Sequence, residues 1–128
     1  MSDDKRTGFP AWHDLTVEDG EGVRRFYESV IGWTSQPVDM GGYEDFNMQP
    51  PGADAPAAGI CHARGGNADL PPQWLVYFTV AHLDSSLAQV ETKGGKVLKG
   101  PVDLGAMGRY AVISDPAGAI CALFADGK

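Results

Sequence analysis

The sequence predicts an α+β fold in which one βαβββ module occurs twice. Three observations carry this. Short strings recur in the same order in both halves: "PVD" at Pro37–Asp39 and again at Pro101–Asp103, and "AGIC" at Ala58–Cys61 returning as "AGAIC" at Ala117–Cys121. Trp12 opens one apolar strand and Trp74 another. Each opening strand is followed by one stretch of helical periodicity and then by short strand-like runs.

The elements follow in order. Ala11–Val17 is rich in apolar and β-prone residues and reads as a strand. Val23, Phe26, Tyr27, Val30 and Ile31 stand at i, i+3, i+4, i+7 and i+8, the spacing of one buried helix face, and Gly32 is the stop. Strands are expected at 33–38, 43–48 and 57–62, with "QPPGADAP" as a Pro/Gly loop. In the second half Trp74–Val80 is the strand. Leu83, Leu87 and Val90 mark the helix, and Gly94-Gly95 end it. Strands follow at 96–98, 109–114 and 119–124. "RGGNADLPPQ" links the halves. Residues 1–9 are expected to be a flexible N-terminus and 10–128 one domain, with module one over about 10–63, a linker over 64–72 and module two over about 73–125.

Composition narrows the function. The chain has 128 residues, 43% of them hydrophobic, which is enough for one domain with a core. No apolar run is long enough for a membrane span. The opening "MSDDKRTGFP" lacks an apolar signal region, so the expected location is the cytoplasm. A net charge of −7 without clustered Lys and Arg argues against nucleic acid as a partner. Two cysteines without close spacing give neither a disulfide framework nor a zinc knuckle.

Three stretches, "RRFYESVIGW", "KGGKV" and "SDPAGAICALF", together with the repeat, resemble the vicinal oxygen chelate superfamily, which includes glyoxalase I, extradiol dioxygenases, fosfomycin-resistance transferases and bleomycin-binding proteins. The resemblance runs from about Pro10 to Ala125. It implies mixed sheets curled around a central cavity with the helices outside. It also implies four strand positions facing any metal, which here map to Trp12, His62, Leu75 and Ala122. Only His62 can ligate, and divalent metal sites need three or four N, O or S donors, so the expectation is no metal and no cofactor.

Strand alternation then assigns faces. Trp12, Asp14 and Thr16 are expected to line the cavity, with Leu75, Tyr77 and Thr79 from the other module. His13, Leu15, Val17, Val76, Phe78 and Val80 would face the helices. Cys61 and Cys121 would point to the helix side as small buried hydrophobes. Arg109, Tyr110 and Phe124 complete the expected cavity set. An inward Asp14 needs a partner, and His62, Tyr77 or Arg109 could provide it, an Asp14–His62 pair being the natural guess.

The leading reading is a metal-free protein that holds a small, partly aromatic molecule in this cavity. The alternative is a glyoxalase-like lyase or isomerase with His62, Asp14 and Tyr77 as acid–base groups. The third is an interaction protein acting as a homodimer.

Overall fold

The computed structural model describes residues 6–126. The elements are β1 (Pro10–Val17), α1 (Gly20–Ile31), β2 (Thr34–Asp39), β3 (Glu44–Gln49), β4 (Ala58–His62), β5 (Trp74–Thr79), α2 (Leu83–Thr92), β6 (Lys96–Asp103), β7 (Arg109–Ser114) and β8 (Ile120–Ala125), with 3-10 turns at Gly65–Asn67 and Gly105–Met107. The α+β class and the βαβββ order, twice over, are as the sequence predicts. The chain forms two compact units. The first is Trp12–Trp74, and the second joins the described residues from Leu75 onward with those up to Ala11.

Each unit has a mixed sheet with the same pairing plan. In the first, β2 pairs antiparallel with β3 and β3 with β4, while β4 runs parallel to β1, with Asp14 opposite Gly59 and Thr16 opposite Cys61. In the second, β6 pairs antiparallel with β7 and β7 with β8, while β8 runs parallel to β5, with Tyr77 opposite Ala122 and Thr79 opposite Phe124. A parallel pair needs a long crossover, which in both units contains the helix. Of the stretch expected to be flexible, residues 1–5 lie outside the described residues. Gly8 and Phe9 are instead tied to Thr79 by backbone bonds of 2.7 and 3.0 Å.

The helices pack on one face of each sheet. Leu15, Phe46, Met48 and Ile60 form the buried centre of the first unit, with Val17, Val23, Tyr27, Trp33 and Trp74 around them. Leu83, Leu87, Ala111, Ile113 and Leu123 form that of the second, joined by Phe78, Val80, Val90, Val97 and Cys121. Leu15, Val17, Phe78, Val80 and Cys121 thus lie on the helix side, as alternation predicts. The Trp74 Nε1–H donates to the Tyr27 hydroxyl at 3.0 Å, which satisfies a donor that would otherwise be lost on burial.

Helix α1 begins at Asp19, whose carboxylate accepts from the Gly22 N–H at 2.9 Å, and ends at Gly32 in the left-handed conformation, φ 92°. Asp19→Ala should lower stability by about 1 kcal/mol in urea titration, because the Gly22 N–H would lose its side-chain acceptor. The buried face of α1 differs from the expected one. Val23 and Tyr27 face the sheet, but Phe26, Val30 and Ile31 are 57%, 63% and 51% exposed. The row beside Val23 and Tyr27 is polar and turned inward instead. The Arg24 guanidinium lies 4.9 Å above the Phe46 ring and pairs with Glu28 at 3.0 Å, and the Ser35 hydroxyl donates to Glu28 at 2.6 Å. The Ser35 bond, followed by Arg24, holds the Glu28 carboxyl below the ordinary carboxylate range.

The turn before the last strand is built by its first residue. The Asp115 carboxylate accepts from the Ala117 and Ala119 N–H groups at 2.8 and 3.0 Å, and Gly118 takes φ 90°. An Asp that bonds its own backbone and a Gly free to adopt positive φ are the chemistry of that turn.

Candidate functional site

The sheet face turned away from the helix has a different character in each unit. In the first unit it is polar. Trp12, Asp14 and Thr16 of β1 lie on it, and the Trp12 Nε1–H donates to Asp14 Oδ1 at 2.7 Å. Asp14 crosses over Gly59, where an added Cβ would collide with its Oδ1 and stand 3.6 Å from the Trp12 ring. A glycine at 59 is therefore what lets the Trp12–Asp14 pair lie flat across β4. Cys61 and Asp45 are on the same face, and Asp45 is buried.

His62 is elsewhere. Ile60, two residues earlier, packs with Leu15, Phe46 and Met48, so His62 shares the helix side, and its ring would stand 3.0 Å from a Cβ on Gly20 at the start of α1. Its carboxylate partner is Asp45: the His62 backbone N–H donates to Asp45 Oδ1 at 2.9 Å, and Nδ1 is 3.3 Å from the same oxygen. The expected Asp14–His62 pair is thus corrected to Asp45–His62, with Trp12 as the partner of Asp14. Cys61 is corrected in the same way. It lies on the face with Asp14 rather than under α1, and burial pushes its thiol pKa well up, with the Asp14 and Asp45 carboxylates adding to the effect. Cys121, under α2, is also pushed up, first by burial and then by Asp115.

Both corrections have one cause. Register pairs Asp14 with Gly59 and Tyr77 with Ala122. If Trp12 corresponds to Leu75, then Asp14 corresponds to Tyr77, and Gly59 holds the place of Ala122. The recurring "IC" strings are not structural equivalents. By register the expected pair of positions in the first unit becomes Trp12 and Gly59, and that in the second stays Leu75 and Ala122; none of these side chains offers a metal-donor atom. Among the described residues no three His, Cys, Asp or Glu side chains group so as to hold a metal. The donor set does not fit the divalent ion that the resemblance implies.

In the second unit the corresponding face is aromatic. Tyr77 and Tyr110 have ring centroids 5.8 Å apart at 53°. Phe124 pairs in register with Tyr110, and Ala122 with Tyr77. Tyr77, Tyr110 and Phe124 are half-buried, while Leu75, Thr79, Val112 and Ala122 are buried. Arg109 is not on this face. It belongs to the row of Ala111 and Ile113, at the strand end, where its guanidinium meets Asp84 of α2 at 3.0 and 3.4 Å. That bond raises its pKa further. An open groove of about 500 Å³ beside this ion pair is lined by His82, Asp84, Ser85, Asp103, Arg109 and Asp126 among others.

One residue of the aromatic face went unread in the sequence. Lys99 pairs with Val112 and holds its Nζ 5.6 Å from the Tyr110 ring centroid. The readable signal was "KGPVD": a Gly-Pro inside a strand marks a bulge, and a bulge changes which face the neighbouring side chain takes. The strand expected at 96–98 in fact runs through this bulge to Asp103.

Comparison with known proteins fits this architecture. Residues 10–122 match the family model of the Glyoxalase/Bleomycin resistance protein/Dioxygenase superfamily. CFP32, a provisionally named glyoxylase of Mycobacterium tuberculosis (strain CDC 1551 / Oshkosh), is 32% identical over 114 residues, covering 89% of this chain and 42% of that protein. The anthracycline biosynthesis protein DnrV of Streptomyces peucetius is 34% identical over 131 residues, covering 94% of this chain and 48% of its own length. The chain therefore spans less than half the length of these relatives. Among solved structures, the Mn(II)-bound glyoxalase from Novosphingobium aromaticivorans superposes with a TM-score of 0.60 at 18% identity, over 94% of this chain and 40% of that one. Methylmalonyl-CoA epimerase in complex with methylmalonyl-CoA and NH4+ gives 0.58 at 14% identity, over 94% and 95%. At these identities the structures speak for the fold alone. No helix among the described residues is long and apolar enough to cross a membrane. On the family match and the identity to its relatives, the chain belongs to the Glyoxalase/Bleomycin resistance protein/Dioxygenase superfamily.

Proposed function

We propose that this protein is a metal-free, small-molecule-binding member of its superfamily, and that its ligand carries a planar aromatic ring. The observation that carries the reading is the second unit's non-helical face, where half-buried Tyr77, Tyr110 and Phe124 stand together over buried Leu75 and Ala122. Aromatic rings offset or tilted at 4.5–7 Å are favourable partners for a further ring, at about 0.5–1.5 kcal/mol per contact beyond burial. The identity to a protein named for anthracycline biosynthesis agrees with an aromatic ligand. The lyase or isomerase alternative loses support, because it draws on His62 and Asp14 together, and the His62 ring lies against the start of α1 with Asp45 rather than Asp14 as its carboxylate partner.

Tyr110→Ala tests the reading. Binding of aromatic ligands, found by a thermal-shift screen and measured by calorimetry, should weaken about tenfold while the fold is retained. Unchanged affinity in a folded Tyr110→Ala protein would move the site off this face.

A further inference from the structure

We propose that the aromatic face of the second unit is a site for an aromatic anion, with Lys99 as the residue that selects for the negative charge. The inference rests on the aromatic-ligand reading and adds to it the charge of the ligand.

Val97 pairs with Ile113, and both pack on the α2 side. In a regular strand Lys99 would share that side, because residues two apart point the same way. Lys99 instead pairs with Val112, so two residues of β6 are used where β7 uses one. That extra residue turns Lys99 over to the face of Val112 and Tyr110. A second irregularity, between Lys99 and Val102, restores the pairing of Val102 with Tyr110. A bulge that re-aims one side chain toward a site is a recurring use of this feature. Here it delivers an ammonium group to within 5.6 Å of the Tyr110 ring centroid.

The charge on this face is unlike that of the whole chain. The chain carries a net −7, yet the residues that register assigns to this face on β5, β6, β7 and β8 include Lys96 and Lys99 and no carboxylate. Lys96 is exposed at the Ser114 end, while Lys99 is half-buried beside the Tyr110 ring. A half-buried ammonium beside aromatic rings sits in a lower dielectric than a surface lysine, so a carboxylate, sulfonate or phenolate brought to it gains more than it would in water. Neutral aromatic compounds gain only the ring contacts.

The test uses a matched pair, 2-naphthoate and 2-naphthamide, which share a ring system and differ in charge. Calorimetric titration of the wild-type protein should give naphthoate the tighter binding by about tenfold. Lys99→Met should weaken naphthoate to the level of naphthamide and leave naphthamide unchanged, and Lys99→Arg should keep the preference. If naphthamide binds wild type as well as naphthoate does, or if Lys99→Met leaves the preference intact, the charge inference fails and the aromatic reading stands. If neither probe binds at millimolar concentration, the aromatic reading fails and the inference with it.

Discussion

Gly100→Ala should destabilise the protein by about 2–4 kcal/mol, one of the two largest effects expected of any single substitution discussed. Gly100 holds φ 96° between the two register shifts of β6, and an added Cβ would stand 2.9 Å from the Tyr110 carbonyl oxygen and 3.0 Å from the Val102 nitrogen. Both neighbours are backbone, so neither can rotate away. The relief available is to open the β6–β7 ladder, and that also releases the device that aims Lys99. Urea denaturation with circular dichroism measures the first effect. The naphthoate preference measures the second, and it should vanish at temperatures where the variant is still folded. A loss under about 1 kcal/mol would mean that β6 can relax around the methyl group.

Ile60→Ala is the second large effect, a loss of about 2–5 kcal/mol. Ile60 is 0% exposed and packs among Leu15, Phe46 and Met48, so three carbons would be removed from a site with no solvent to fill it. Ile60→Val should cost about 1 kcal/mol at the same position. Tryptophan fluorescence follows this loss directly, because all three tryptophans, Trp12, Trp33 and Trp74, fall within the first unit. An Ile60→Ala protein with an unshifted fluorescence midpoint would contradict the packing described for that core.

Much of the fold was legible because its signals are local. The Asp115 turn, the Gly32 stop and the alternation in β1 and β5 depend on a few adjacent residues and on backbone rules that need no partner. Tyr77 was read onto its face by the same alternation, whereas Tyr110 and Phe124 entered the expected cavity set through the fold that the resemblance implies. The errors arose where position depends on pairing. "AGIC" and "AGAIC" look equivalent as strings, but register makes Gly59 the counterpart of Ala122, and this single offset moved His62 to the helix side and Cys61 away from it. Periodicity found the apolar residues of α1 but not its rotation. The Arg24–Glu28–Ser35 chain claims part of the buried side, which leaves Phe26 and Val30 in solvent. Arg109 was misplaced because it was grouped with its neighbour Tyr110, although adjacent strand residues face opposite sides; it turns instead to Asp84 of α2.

The two thiols have a practical consequence. Cys61 belongs to the first unit and Cys121 to the second, and each is kept protonated by burial. Alkylating reagents attack thiolates, so both cysteines should be slow to react in the native protein and quick to react once their strand opens. Each unit therefore carries its own chemical clock. Mass spectrometry of the two labelled peptides, taken over time, reads whether the two halves of the repeat breathe as one body or separately.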